Sequence, residues 1–243
     1  MESSEVKPYQ DEEGSKKEQV AKMFNNIAPK YDLLNHTLSM GIDILWRKKA
    51  VKILKKLQPK KVLDIACGTG DFAIEDLKSG ATEVIGLDIS KGMVDVGIVK
   101  VNKKGLADKV SLRVGDSENI PFEENSFDGI TVGFGVRNFE NLEKGLSEMH
   151  RVLNPEGQLI VLEFSKPKHF PIKQLYFFYF KFILPKIGRL VSKDQTAYTY
   201  LPDSVNAFPD GEKFTDILEK VGFKSTKIIP CSFGIASIYI GTK

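Results

Sequence analysis

A glycine turn stands between the first apolar strand of this chain and the helix that follows it: "VLDIACGTGDFA", Val62 to Ala73. Such a turn lets a ligand approach the backbone closely, and the free N–H groups of the helix start lie beside it. The alternation then repeats. "EVIGLDIS" reads as a second strand, "KGMVDVGIVKVNKKG" as a helix, and "VSLRVGD" and "FDGITVGFG" as further strands. "NLEKGLSEMHRVLN" is a helix closed by Pro155 and Gly157, and "GQLIVLEFS" a fifth strand. A last helix, "DGEKFTDILEKVGF", precedes "KSTKIIPCSF" and "ASIYIGTK", two strands that meet at a turn on Gly234. Strands separated by helices imply a parallel sheet with right-handed crossovers. The expected fold is α/β and Rossmann-like: a mostly parallel, seven-stranded sheet ending in an antiparallel hairpin.

The chain before Pro59 reads differently. Val20 to Leu57 is helical, interrupted near Pro29 and Gly41. Trp46, Ala50, Ile53, Leu54 and Leu57 fall on one face, with Lys48, Lys49, Lys52, Lys55 and Lys56 opposite. Residues 1–15, charged and without an apolar core, are expected to form a disordered tail rather than a leader. Residues 16–243 make one domain, and 16–57 are its helical N-terminal extension. A formal charge of +3 provides no global field for nucleic acid. Cys67 and Cys231 lie far apart without a CxxC, which argues against a disulfide framework or a metal site and for a reducing, cytoplasmic setting. No run of 18 apolar residues occurs, so no transmembrane helix is expected.

"GTGDFA" also fits the dinucleotide pattern G-x-G-x-x-A through Gly68 and Gly70, with Asp88 about 20 residues on, so a nicotinamide oxidoreductase is a rival reading. Three features favour S-adenosylmethionine. Asp64, before the glycines, is awkward beside a pyrophosphate but suits an ammonium and a sulfonium. Asp88 ends the second strand, where a carboxylate accepts both ribose hydroxyls. Asp116 and Ser117 end the third, where a carboxylate and a backbone N–H read adenine. The terminal helix and hairpin also resemble the class I methyltransferase sheet rather than a second nucleotide-binding half.

"YDLLNHTLSMGIDILWR" and "RVLNPEGQLIVLEFS", with "ACGTGD" and "FGVRN" between them, resemble the signatures of the ubiquinone/menaquinone biosynthesis C-methyltransferases. The resemblance runs from about Val20 to the C-terminus. It implies a class I fold, S-adenosylmethionine as methyl donor, and methylation of a quinol ring carbon bearing a polyprenyl chain. The quinol is expected to be demethylmenaquinol, with the benzoquinol of the ubiquinone branch as the alternative. Thr69, Asp88, Asp116 and Ser117 are the cofactor residues it implies. Two positions depart from the pattern. Gly133 stands where some members have serine, and "GIDILWR" lacks the basic residue before Trp46, which weakens a ligand role for Asp43.

Ring methylation needs an electron-rich carbon held behind the sulfonium methyl, and loss of a phenolic proton enriches that carbon. Arg137, after the fourth strand, is the candidate for stabilising the phenolate, and Asn138 for fixing a ring oxygen. The bland alternative pairs Arg137 with a helix acid such as Glu140. Tyr31, Asp32 and His36 belong to the 16–57 segment, expected to fold over the site as a lid, and Asp32 or His36 is a candidate proton acceptor. An RNA methyltransferase is disfavoured, since neither a [DNS]-P-P-[FYW] motif nor a cysteine follows the fourth strand. Finally, "YFFYFKFILP", Tyr176 to Pro185, lies in an insertion, 166–209, expected to face substrate and membrane. The stretch is too short to span a bilayer, so it is expected to line the entry of the prenyl tail and dip into the lipid interface.

Overall fold

The computed structural model describes residues 6–39, 41–179, 182 and 196–243. Strands β1 (Lys61–Ile65), β2 (Glu83–Asp88), β3 (Val110–Val114), β4 (Phe127–Gly133), β5 (Leu153–Phe164), β6 (Lys224–Cys231) and β7 (Ala236–Thr242) form one seven-stranded sheet of order β3-β2-β1-β4-β5-β7-β6. β1 to β5 pair in parallel, and β7 is antiparallel to both β5 and β6. The hairpin therefore enters with its second strand inside, leaving β6 at the edge. β5 starts at Leu153, ahead of its expected start at Gly157. Leu153 already pairs with Phe127, and a register shift absorbs Pro155 and Glu156 before regular pairing resumes at Gln158.

Helices cover both faces. α1 (Lys16–Ile27), α2 (Tyr31–Leu38) and α3 (Ile42–Leu54) form the extension. They are followed by α4 (Asp71–Asp76), α5 (Lys91–Lys103), α6 (Leu142–Val152), α7 (Ile172–Phe178), α8 (Thr196–Ala207) and α9 (Glu212–Val221). Side chains alternate across a strand, so β1 feeds two cores. Val62 joins Trp46, Leu54 and Ala73 on the α3–α4–α5 side, while Leu63 and Ile65 join Leu146, Phe214 and Leu218 on the α6–α9 side.

α1 starts four residues before the apolar pattern does. Ser15 accepts from the Glu18 N–H and the Glu18 carboxylate accepts from the Ser15 N–H, a capping box that satisfies two donors of the first turn. Residues 6–15, expected as part of a disordered tail, instead run back along α1. The Tyr9 N–H donates to Gln19 Oε1 at 2.9 Å, and Val6 and Tyr9 pack on Val20, Met23 and Tyr200. Two aromatic or branched side chains and a buried Pro8 are enough to hold so short a segment once a partner surface exists.

Candidate functional site

At the carboxyl ends of β1, β2 and β4 the chain must turn away from the sheet, and left-handed backbone at Ala66, Gly68 and Gly70 makes the turn after β1. Gly70 is needed twice: its φ is 81°, and a Cβ there would come within 2.9 Å of the Leu112 side chain. The turn leaves a cavity of about 70 Å³ among Gly68, Asp88, Asp116, Ser117 and Gly133. Four residues assigned to the cofactor from sequence are thus brought together: Gly68, Asp88, Asp116 and Ser117. Asp88 accepts from the Gly68 and Ser90 N–H groups, both at 2.8 Å, which fixes its carboxylate at the tip of β2. Burial pushes its pKa up, and those two N–H donors offset part of the rise. The absent serine at Gly133 has a physical counterpart, since a Cβ there would meet the Phe72 ring at 2.8 Å.

Four residues assigned to the site from sequence lie outside both cavities. Asp64 lines neither cavity. Its place in the alternation of β1 is that of Val62, so it points into the layer beneath α4, where it is fully buried. There the Thr131 hydroxyl lies 3.4 Å from Asp64 and donates to Asp76 at 2.7 Å. Burial raises the pKa of Asp64 well above the ordinary carboxylate range and that of Asp76 to about 8. Thr69 and Gly70 also lie outside the cavity walls. The Thr69 hydroxyl donates to Asp32, and Lys100 pairs with Asp32 and Asp71 at 2.6 Å each. Asp32 is thereby spent on anchoring α2 to the glycine turn and lines neither cavity, so it is not placed to receive a phenolic proton.

A second cavity, of about 360 Å³, opens beside the first and is largely apolar. Phe24, Tyr31, Phe134 and Asn138 line both. α2 contributes through one stripe, Tyr31 and Asn35 with Ser39 beyond them, which is why Asp32, one position along, misses it. His36 follows Asp32 by one turn, and its side chain lies outside the described residues. Burial pushes the Tyr31 phenol up, which keeps it protonated at neutral pH. Asp43 does reach the wall, where it accepts from Ser39 and Arg47 at 2.5 Å each.

Arg137 lines the larger cavity. Its partner is Glu163 of β5, at 2.8 Å, and not Glu140; its Nη1 also donates to the Phe134 carbonyl, and the guanidinium lies 5.5 Å from the Phe164 ring centre. Burial pushes the Glu163 carboxyl up, and Arg137 pulls it back down. Glu163 was not legible as a site residue, because it sits in a strand that otherwise reads as core. α7 turns the residues Ile172, Leu175, Tyr176 and Tyr179 to the cavity at helical spacing, so the described start of the aromatic stretch is cavity wall. Positions 180, 181 and 183–185 of that stretch lie outside the described residues.

The extension closes over the smaller cavity. Lys17 pairs with Asp116 at 2.7 Å and Glu118 at 3.1 Å, while Lys16 donates to the Phe139 carbonyl at 2.8 Å. Lys17→Ala removes the tie across the cavity mouth. S-adenosylhomocysteine is expected to dissociate about 2- to 5-fold faster from this variant, in line with a partly exposed ion pair. Stopped-flow displacement measures it, and an unchanged off-rate would show that α1 does not gate this cavity.

The ubiE/COQ5 methyltransferase family model matches residues 12–243. The chain belongs to that family. It is 49% identical over 239 residues to the demethylmenaquinone methyltransferase of Bacteroides fragilis, covering 98% of this chain and 97% of that one. Against the ubiquinone/menaquinone biosynthesis C-methyltransferase UbiE of Geotalea uraniireducens it is 45% identical over 230 residues, 94% of this chain and 97% of that one. Among solved structures, an S-adenosylmethionine-dependent methyltransferase of Thermotoga maritima superposes with a TM-score of 0.65 at 22% identity, over 91% of this chain and 99% of that one. This last likeness bears on the fold, which is the class I, Rossmann-like methyltransferase fold.

Proposed function

We propose that the chain transfers a methyl group from S-adenosylmethionine to a ring carbon of a polyprenylated quinol, converting demethylmenaquinol to menaquinol. The observation that carries this reading is the pair of cavities with a common wall. One is small and acidic at the tips of β2 and β3; the other is large, apolar and polar only at a few side chains. Family membership and the names of the relatives support the same reaction.

The residues around the smaller cavity fit S-adenosylmethionine. Gly133 and Gly135 present bare backbone to it, and packing rules out a side chain at either, since a Cβ would meet Phe72 at 2.8 Å or Ala66 at 2.5 Å. Asp88 would hold the ribose hydroxyls, and Asp116 with the Ser117 N–H the adenine. When bound, the cofactor supplies an electrophilic methyl on a sulfonium. The chain's own part is to hold the ring in line and stabilise the phenolate that enriches the attacking carbon. Arg137 supplies the positive group at the cavity wall, Tyr31 a protonated phenol between the two cavities, and Phe134 and Trp46 apolar surface for the rings. Purified protein with methyl-labelled S-adenosylmethionine should label demethylmenaquinol in preference to the demethyl benzoquinol. Binding of NADH without binding of S-adenosylhomocysteine would instead support the oxidoreductase reading.

The prenyl tail makes a membrane surface the natural partner, on its cytoplasmic side. No helix among the described residues is long and apolar enough to cross a membrane. Exposed apolar side chains, however, gather near the larger cavity. Phe170 (81% exposed), Leu175 (61%), Phe178 (55%), Leu45 (62%) and Phe233 (81%) each line it or lie within two residues of one that does. Exposed Lys48, Lys168 and Lys173 flank them and suit anionic lipid. Replacing Phe178 and Phe182 with Ser should cost liposome binding and long-tail turnover while sparing short-tail substrates. A parallel fall for long and short tails would make these rings core.

A further inference from the structure

Lys100 of α5 lines neither cavity, yet its ammonium joins three segments that surround them. It lies 2.6 Å from Asp32 of α2, 3.0 Å from the Thr69 hydroxyl of the glycine turn and 2.6 Å from Asp71 at the start of α4. An ammonium carries three N–H donors, and here each has an oxygen to meet. Gly97 lets α5 come so close. A Cβ there would lie 3.0 Å from the Thr69 carbonyl and 2.4 Å from the Leu112 side chain, so α5 packs directly on the glycine turn about one helical turn before Lys100.

The tie decides where Tyr31 sits. Of the described side chains of α2, Leu33 is 65% exposed and Asp32 and Asn35 are half-buried. Apolar burial beyond Tyr31 itself is therefore slight among them. The first turn of α2 is fixed instead by the Lys100 pair and by the Thr69 hydroxyl, which donates to Asp32 at 2.5 Å. Tyr31 is the next residue along. Its Cε1 lies over Gly68, where a Cβ would approach it to 3.8 Å, and it lines both cavities. On the other side, Asp71 reaches Arg47 at 3.8 Å and through it Asp43, both in the wall of the larger cavity.

We infer that Lys100 is a positioning residue that makes the two cavities bind their ligands cooperatively. A cofactor in the smaller cavity lies against Gly68 and Asp88 and so holds the glycine turn. Through Thr69 and Lys100 the turn holds α2, whose Tyr31 and Asn35 form part of the larger cavity's wall. A quinol then meets a wall already in place, and the ordering of α2 costs free energy once, at whichever binding comes first. Linkage makes the effect reciprocal, since each ligand raises affinity for the other by the same factor. This coupling rests on the proposed reaction, which needs both ligands at once.

Trp46 is the chain's single tryptophan and lines the larger cavity, so quenching of its fluorescence reports quinol binding. The full chain is titrated anaerobically with demethylmenaquinol carrying a two-unit prenyl tail, with and without saturating S-adenosylhomocysteine, which has no methyl to give. The parent should bind the quinol about tenfold more tightly with S-adenosylhomocysteine present, within the range usual for coupled sites. Lys100→Met and Asp32→Asn each break the tie and should bring that factor to about twofold or less. Lys103→Met, which removes the same charge from the exposed side of α5, should keep it. A general loss of stability would weaken both ligands and leave the factor unchanged. No enhancement in the parent, or an undiminished one in folded Lys100→Met and Asp32→Asn, overturns the inference and leaves the proposed reaction standing. If Trp46 of the parent does not respond to the quinol at all, the proposed reaction falls, and this coupling with it.

Discussion

Arg137→Ala is expected to lower methyl transfer by about 10²- to 10³-fold, the scale on which a positioned charge at a developing oxyanion acts. Affinity for S-adenosylhomocysteine should stay within a few-fold, because Arg137 lines the larger cavity and not the smaller. The variant carries a second cost. Glu163 is fully buried and loses its only cation among the described residues, and a stranded buried carboxylate destabilises by ~3–5 kcal/mol. Activity loss and unfolding must therefore be separated. Arg137→Ala combined with Glu163→Gln removes the stranded charge, so its melting temperature should recover towards the parent's while turnover stays low. Arg137→Lys keeps the charge but loses the planar guanidinium beside the Phe164 ring, so it should not restore turnover. If turnover returned along with stability in the double variant, Arg137 would be a structural residue only.

Asp76→Asn should stabilise the protein more and more as pH rises. Asp64 and Asp76 share an apolar layer with one hydroxyl, that of Thr131, and two carboxyl oxygens there have no hydrogen-bonding partner among the described residues. Two such acids cannot both be ionised, so the folded state holds on to a proton that the unfolded chain releases. For Asp76 the folded pKa is about 8 against an ordinary 3.8. The folded state binds more protons across that window. Its contribution is thus fully present below about pH 3.8 and is lost as pH climbs towards 8. The slope is at most ~1.4 kcal/mol per pH unit for one proton. Asp128 and Glu148, whose pKa values are lowered, act in the opposite sense at acid pH, so the informative quantity is the variant's stability minus the parent's. Urea midpoints from pH 5 to pH 9 should show that gap widening. A gap that stays constant would mean that the pair is ionised throughout.

The order of elements was legible in the chain because the turns after β1 and β2 and the closing hairpin are local matters. Glycine at 68, 70 and 234, apolar runs between them and acids at strand ends need no partner to be read. The same locality placed Asp88, Asp116 and Ser117, which follow strand ends and so converge wherever parallel strands do. Side-chain direction was not local. Asp64 and Asp88 look alike in sequence, yet Asp64 keeps the parity of Val62 and faces the layer beneath α4. Asp32 sits one residue from Tyr31 and points elsewhere, because α2 offers the cavity one stripe only.

The sequence by itself thus determined the class of sheet, the glycine turn and the cluster at the tips of β2 and β3. It also determined the family, through motifs spread from Tyr31 to Ser165. Tertiary structure decided the rest. It paired Arg137 with Glu163 across 26 residues of chain, spent Asp32 on Thr69 and Lys100, and brought Lys17 to Asp116 across 99. It also turned the face of "YFFY" at Tyr176 and Tyr179 to the same cavity as Trp46. Each of these depends on how helices dock on the sheet. That docking is set by the burial of side chains distant in sequence, which periodicity along one segment does not record.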